Sequence, residues 1–130
     1  MKKLIFLLIL VNAFIGCKRD SHPVYFKKFI SDVDSFISIS DSLLMEASSV
    51  HQYQMGKARI NREIQDKYIP RVDSLLNLKL SKGEKNLLFI IRDFLVLYGK
   101  MDLSAEEEVQ LRAIKTEIIN IIKREYVHVK

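Results

Sequence analysis

Residues 87–98 read Leu-Leu-Phe-Ile-Ile-Arg-Asp-Phe-Leu-Val-Leu-Tyr, and ten of these twelve residues are apolar. The run is shorter than the ~20 residues that a membrane-spanning helix needs. A helix that is apolar nearly all round is normally the central helix of a domain. We therefore expect a helix from about Lys82 to Lys100 that is surrounded by other helices, with Gly99 at its end.

Two further helices are predicted before this segment. The first extends from about Pro23 to Ser49, because apolar residues recur there at intervals of three and four. Weak helix formers over residues 48–56 predict a turn. The second helix is expected from about Lys57 to Leu78, with a kink or short break at Pro70, which lacks the amide that would bond back to Asp66.

Two capping boxes predict where the last two helices begin. Ser81 is followed three residues later by Glu84, and Ser104 by Glu107. The last helix is expected to continue to about Tyr126. Because the chain holds only four glycines and two prolines, a strand-rich fold is unfavourable. The predicted fold class is all-α, an antiparallel three- or four-helix bundle over residues 24–130.

The first seventeen residues have the pattern of a secretory signal. Lys2 and Lys3 precede an apolar run of about a dozen residues, and Gly16-Cys17 follows. A cysteine directly after a small residue resembles the lipobox of bacterial lipoproteins. The resemblance implies removal of residues 1–16, a lipid on Cys17, and a short tether over residues 17–23 that holds the domain close to a membrane.

The same resemblance implies a location in the cell envelope. In lipoproteins, an aspartate after the lipidated cysteine signals retention in the inner membrane, and Lys18 stands there instead, which favours the outer membrane. Cleavage after Ala13 is an alternative that would leave a soluble protein with a free thiol. Cys17 is the only cysteine in the chain, so no disulfide is expected.

Composition argues against several function classes. The formal net charge is +5, no run of five like charges occurs, and tryptophan is absent, so we expect no nucleic-acid partner. Glu125 and His128 have the spacing of half a di-iron site, but no second such pair exists. His51 is predicted at an inner, structural position. We expect no enzymatic activity, no metal and no cofactor, because no nucleophile–base set can be assembled.

Two candidate interaction surfaces remain. Incomplete covering of the third helix would expose an apolar patch for a partner, although full burial is the simpler expectation for so apolar a helix. This patch would consist of Phe89, Ile90, Val96 and Leu97. The other candidate is a membrane-proximal surface next to Cys17, which mixes aromatic and basic residues. It would consist of Tyr25, Lys27 and Lys28.

Charge is distributed unevenly between the first two helices. Residues 31–50 carry acidic residues and no basic one, whereas residues 57–82 are mainly basic, which predicts ion pairs between antiparallel neighbours. The alternative is that the basic segment forms a face for anionic lipid or for an acidic partner. The sequence thus predicts a non-catalytic envelope lipoprotein, anchored in the membrane through Cys17, that binds an envelope protein near that membrane. Two alternatives are an immunity or inhibitor lipoprotein that neutralises a toxin, and a helical carrier of an apolar ligand.

Overall fold

A computed structural model describes residues 22–127 of the chain. Gly16, Cys17 and His128 lie outside the described residues, as does most of the predicted tether. Within the described range the chain is helical and contains no strand, so the predicted all-α bundle is confirmed.

Four helices form the bundle. Helix α1 spans Val24–Met45. Helix α2 consists of Val50–Glu63, a π-helical segment Ile64–Tyr68, and Ile69–Leu76. Helix α3 spans Lys82–Gly99, and α4 spans Ala105–Ile122 before a second π-helical segment, Lys123–Val127.

Successive helices are antiparallel neighbours. Arg71 near the end of α2 bonds Asp32 in the first half of α1, and Lys57 near the start of α2 bonds the carbonyl of Tyr98 at the end of α3. Helix α4 packs against both α3 and α1, which closes the ring. We call the end with the start of α1 and the α2–α3 connection the proximal end, and the opposite end the distal end.

The core consists of side chains from all four helices. Phe26, Phe29 and Ile30 of α1 are fully buried, as are Leu88 and Phe94 of α3. The buried residues of α1 follow the three-and-four spacing of an amphipathic helix. At ~25 cal/mol per Å² of buried apolar surface, this packing dominates the stability of the fold.

The predicted turn over residues 48–56 was wrong in its position. Helix α1 ends at Met45 and α2 begins at Val50. Ser49 caps α2 by accepting a hydrogen bond from the amide of Gln52, whose side chain accepts from the Ser48 amide. Side-chain caps of this kind start a helix even where the following residues are weak helix formers.

Pro70 does not break α2. The helix widens into the π-helical segment immediately before the proline, and the amide of Ile69 bonds to the carbonyl of Ile64. A π turn is a recurrent way to accommodate a missing i−4 bond within a helix. Of the predicted kink or short break, the break is wrong, because the helix continues past Pro70. Both predicted capping boxes are present.

Candidate functional site

A groove of about 340 Å³ lies on the surface between α1 and α2. We call it the α1–α2 groove. Phe36 and Ile60, both buried, form its floor, and Ile39 and Leu43 form an apolar edge along α1. Most of the other lining residues are charged. The charged ones are Asp32, Arg59, Glu63 and Lys67.

Ile39 and Leu43 are the unusual residues of this groove. They lie four positions apart, so they are neighbours on one face of α1. The side chain of Ile39 is 69% exposed and that of Leu43 is 37% exposed, although both are large aliphatic residues. Single exposed apolar residues are common, but two adjacent ones beside a groove are typical of a surface that binds a partner.

The sequence gives a local reason for the groove. Gly56 of α2 has no side chain to cover α1, and a β-carbon placed there would lie 3.3 Å from a methyl of Leu44 and 3.6 Å from one of Leu43. The two helices therefore approach closely at the distal end. One and two turns further along α2, Ile60 and Glu63 line the space that remains between the helices.

The rim has a defined charge arrangement at its proximal side. Arg71 donates to Asp32 over 2.9 Å, and Lys28 donates to the same carboxylate over 3.0 Å. Burial alone would raise the pKa of Asp32, but the bonds from Lys28 and Arg71 outweigh it and lower that pKa below its usual value. Asp32 is therefore a carboxylate near neutral pH, and the predicted pairing of α1 with α2 is confirmed at this position.

The floor of the groove is aromatic at the same side. The rings of Phe36 and Tyr68 pack with centroids 4.5 Å apart. Burial, together with the carboxylates of Glu63 and Asp32, raises the pKa of the Tyr68 phenol, so it stays protonated. This arrangement gives the groove an aromatic, apolar floor at its proximal side.

A cluster of polar side chains near the distal end connects all four helices. The hydroxyl of Tyr98 donates to Asp41 over 2.6 Å, and Lys115 also bonds Asp41 at 2.6 Å. The buried Lys57 ammonium donates to the carbonyl of Tyr98 and lies 5.4 Å from the centre of its ring. Its pKa is lowered by burial. These groups bond one another, which suits a structural role.

Only part of the patch that the sequence predicted on α3 is exposed. Phe89 is 53% exposed and Val96 is 44% exposed, but Leu97 is half-buried and Ile90 is 2% exposed. Successive residues in a helix point about 100° apart, so Ile90 faces the core when Phe89 faces outward. Ile90 does not belong to any surface, and what remains is two apolar residues seven positions apart.

The predicted membrane-proximal residues lie at the proximal end. Tyr25 is exposed, Lys27 is half-buried, and Lys28 is exposed and bonds Asp32 one turn along α1. His51, predicted at an inner position, is exposed instead, because α2 begins before it and turns it outward.

Sequence reasoning missed the α1–α2 groove. Ile39 is apolar but lies off the inner stripe of α1, and that mismatch was the signal available for it. The surfaces predicted from the sequence lay on α3 and beside Cys17, whereas this groove lies between α1 and α2.

Comparisons with protein-family models, with curated proteins and with solved structures found no match for this chain. Between His22 and Val127, no helix is long and apolar enough to span a membrane. In that same part of the chain, no three His, Cys, Asp or Glu side chains are grouped to hold a metal ion.

Proposed function

We propose that this protein is a non-catalytic lipoprotein of the cell envelope, anchored through a lipid on Cys17, that binds a protein partner close to the membrane. The outer membrane is the proposed site of the anchor. The observation that carries the binding proposal is the apolar edge of Ile39 and Leu43 beside the α1–α2 groove.

The chemistry of the groove favours a protein segment as its occupant. An apolar floor with charges of both signs on the rim matches an amphipathic helix or strand, whose apolar side chains enter the groove while its polar flanks meet the rim. The alternative of an apolar-ligand carrier predicts an enclosed apolar cavity. This groove is instead open to solvent and edged by Asp32, Arg59, Glu63 and Lys67.

The position of the groove suits a partner near the membrane. Ile39 lies fifteen residues after Val24. At ~1.5 Å per residue it is therefore about 22 Å along the axis of α1 from the proximal end. A partner held there would be embedded in the same membrane or would lie just above it.

The decisive experiment is a crosslinked pull-down of the full-length protein from its native envelope, with mass spectrometry of the captured proteins and of Cys17. Ile39→Lys places a charge on the apolar edge of the groove without touching the core, and we expect it to lower capture of the main partner by about tenfold or more. Val96→Lys places the same charge on the exposed face of α3 and is the matched control.

Each outcome separates the hypotheses. Capture lost in Ile39→Lys and kept in Val96→Lys supports the groove, and the reverse pattern assigns binding to α3. Equal capture by both variants and the wild type would exclude both surfaces. An unmodified Cys17 would overturn the anchor.

A further inference from the structure

The proximal end of the bundle is strongly basic. Three separate segments meet there, namely the start of α1, the α2–α3 connection and the π-helical end of α4. The α2–α3 connection, the first turn of α3 and the π-helical end of α4 together carry five cationic side chains that form no ion pair with another residue of the described range 22–127. They are Lys79, Lys82, Lys85, Lys123 and Arg124.

Few carboxylates offset these cations. Glu84 is buried, and it bonds His22 and accepts from the Ser81 amide, so its charge is directed into the bundle. Glu125 is half-buried on the α4 segment. The proximal end is therefore positive as a whole. The sequence indicated a basic face within residues 57–82, but not that Lys123 and Arg124 join it from a distant part of the chain.

Apolar side chains project from the same end. Val24 is 82% exposed in the first turn of α1, and Tyr25 beside it is exposed, as is Leu78 in the α2–α3 connection. Basic residues interspersed with exposed aliphatic and aromatic ones are the composition of surfaces that lie in a lipid–water interface.

The distal end lacks this positive charge. Glu46 follows α1, Asp102 lies in the α3–α4 connection, and three glutamates occupy the first turn of α4, where Lys100 and Arg112 pair with two of them. The chain thus has one strongly basic end and, about one helix length away, an end where carboxylates outnumber cations. An anionic surface attracts the first more strongly than the second.

We propose that the proximal end rests directly on an anionic phospholipid bilayer and holds the bundle upright. The helices then stand perpendicular to the membrane surface, and the α1–α2 groove opens parallel to it. This inference rests on the proposed anchor at Cys17. Val24 lies seven positions after Cys17, and at ~3.5 Å per position this stretch reaches at most about 25 Å, so an anchored chain keeps the proximal end within that distance of the lipid surface.

The test measures the distance of each end from the bilayer in the full, lipidated chain. A lipid thioether blocks Cys17, so one introduced cysteine can be labelled alone. Asn77→Cys marks the proximal end and Met101→Cys marks the distal end; both positions are exposed, uncharged and in connections between helices. Each carries an environment-sensitive dye, and the lipid carries a quencher at headgroup depth.

In vesicles of phosphatidylcholine with about one third phosphatidylglycerol, we expect the dye at position 77 to be quenched at least about threefold more than the dye at position 101. The difference should shrink in phosphatidylcholine alone and at ~0.5 M salt, where charges are screened within a few ångströms. Lys79→Glu/Lys82→Glu should abolish it. The control variant Arg62→Glu/Arg112→Glu changes the net charge by the same amount, but on the sides of the bundle. It should preserve the difference in quenching between the two dyes.

Equal quenching of the two dyes on a chain whose Cys17 carries lipid would overturn the upright orientation and leave the anchor intact. The upright orientation would also be overturned if quenching at position 77 did not depend on phosphatidylglycerol and were unchanged by Lys79→Glu/Lys82→Glu. Those cations would then bind another partner, such as an acidic protein. An unlipidated Cys17 in the mass spectrum would remove the anchor and this inference together.

Discussion

Tyr98 connects the helices at the level of a single residue. Its ring packs against Phe36 of α1 and Phe94 of α3, its hydroxyl bonds Asp41, and its carbonyl accepts the Lys57 ammonium. Burial and the bond to Asp41 raise the pKa of the phenol far above its usual value, so it remains a donor. Tyr98 thus connects α1, α2 and α3 through both apolar and polar contacts.

Replacing Tyr98 with Phe tests this role. The ring packing is kept while the hydrogen bond to Asp41 is lost, so the free energy of unfolding should fall by about 1–2 kcal/mol. Urea unfolding followed by circular dichroism measures the change. Tyr25→Phe is the control, because that exposed side chain should change stability by less than ~0.5 kcal/mol. Equal stability of both variants would show that the Tyr98 hydroxyl contributes nothing.

Asp32 makes stability depend on acid pH. Its pKa in the folded protein lies below the value of 3.8 for an unperturbed aspartate. The stabilisation from Lys28 and Arg71 is therefore complete above about pH 4 and is lost as the pH falls through the folded pKa, where the carboxylate gains a proton.

Asp32→Asn should therefore make the free energy of unfolding less dependent on pH in the acidic range below about pH 4. Because the pair is partly exposed, the loss at neutral pH should be no more than about 1 kcal/mol. Thermal unfolding at a series of acidic pH values measures it. Asp34→Asn is the control, since Asp34 forms no ion pair with another described residue. A curve for Asp32→Asn that parallels the wild type would exclude this carboxylate as the cause.

At the scale of helices, close approach of α2 and α3 depends on a glycine. A β-carbon on Gly99 would lie 2.7 Å from Oδ1 of Asn61 and 3.3 Å from Cδ1 of Ile64. The π-helical segment that begins at Ile64 packs against α3 in the same region. The bulge before Pro70 and the missing side chain at Gly99 together allow the two helices to pack.

Gly99→Ala should destabilise the bundle by about 1–2 kcal/mol, because overpacking outweighs the ~1 kcal/mol that alanine gains over glycine in a helix. Gly56→Ala is the matched comparison, since its nearest contact is 3.3 Å and its neighbours are movable leucine ends, so its effect should lie within ~1 kcal/mol of zero. Denaturant midpoints measure both effects.

Asn61→Ala in the Gly99→Ala background should recover part of the stability by removing the closest atom. The absence of any recovery, with a full loss in Gly99→Ala, would place the strain at Ile64 instead. A stabilised Gly99→Ala protein would show that the helices do not approach as closely as the contact requires.

For the whole molecule, the proposed function depends on how far the bundle is held from the membrane. In that proposal the tether is short, the basic proximal end faces the lipid, and the groove lies about 22 Å along α1. A partner in the same membrane would then meet the groove at high effective concentration, which raises binding without adding contacts.

Lengthening the tether tests this arrangement. About 20 Gly/Ser residues inserted between Arg19 and Asp20 add an r.m.s. reach of about 25 Å. Crosslinked capture of a membrane-embedded partner should fall severalfold as the effective concentration falls. The lipid on Cys17, measured by intact mass, should be unchanged. Unaltered capture would mean that the partner is not held at a fixed height above the membrane.

The helical class, the approximate limits of α3 and α4 and both of their capping boxes were predictable from the sequence. Each depends on interactions within one turn or on the three-and-four spacing of apolar residues. The core positions of α1 were predictable for the same reason. The start of α2 was also a local event, but the cap made by Ser49 and Gln52 was overlooked in a segment of weak helix formers.

The candidate surfaces could not be placed in the same way. Ile90 and Phe89 are equally apolar neighbours, and only the packing of α2 and α4 around α3 determines that one is buried and the other exposed. The α1–α2 groove and the basic proximal end combine residues from different helices. The sequence alone determined the helices, because a helix is built from contacts between near neighbours, whereas the tertiary structure decided the surfaces, because a surface depends on which distant segments lie side by side.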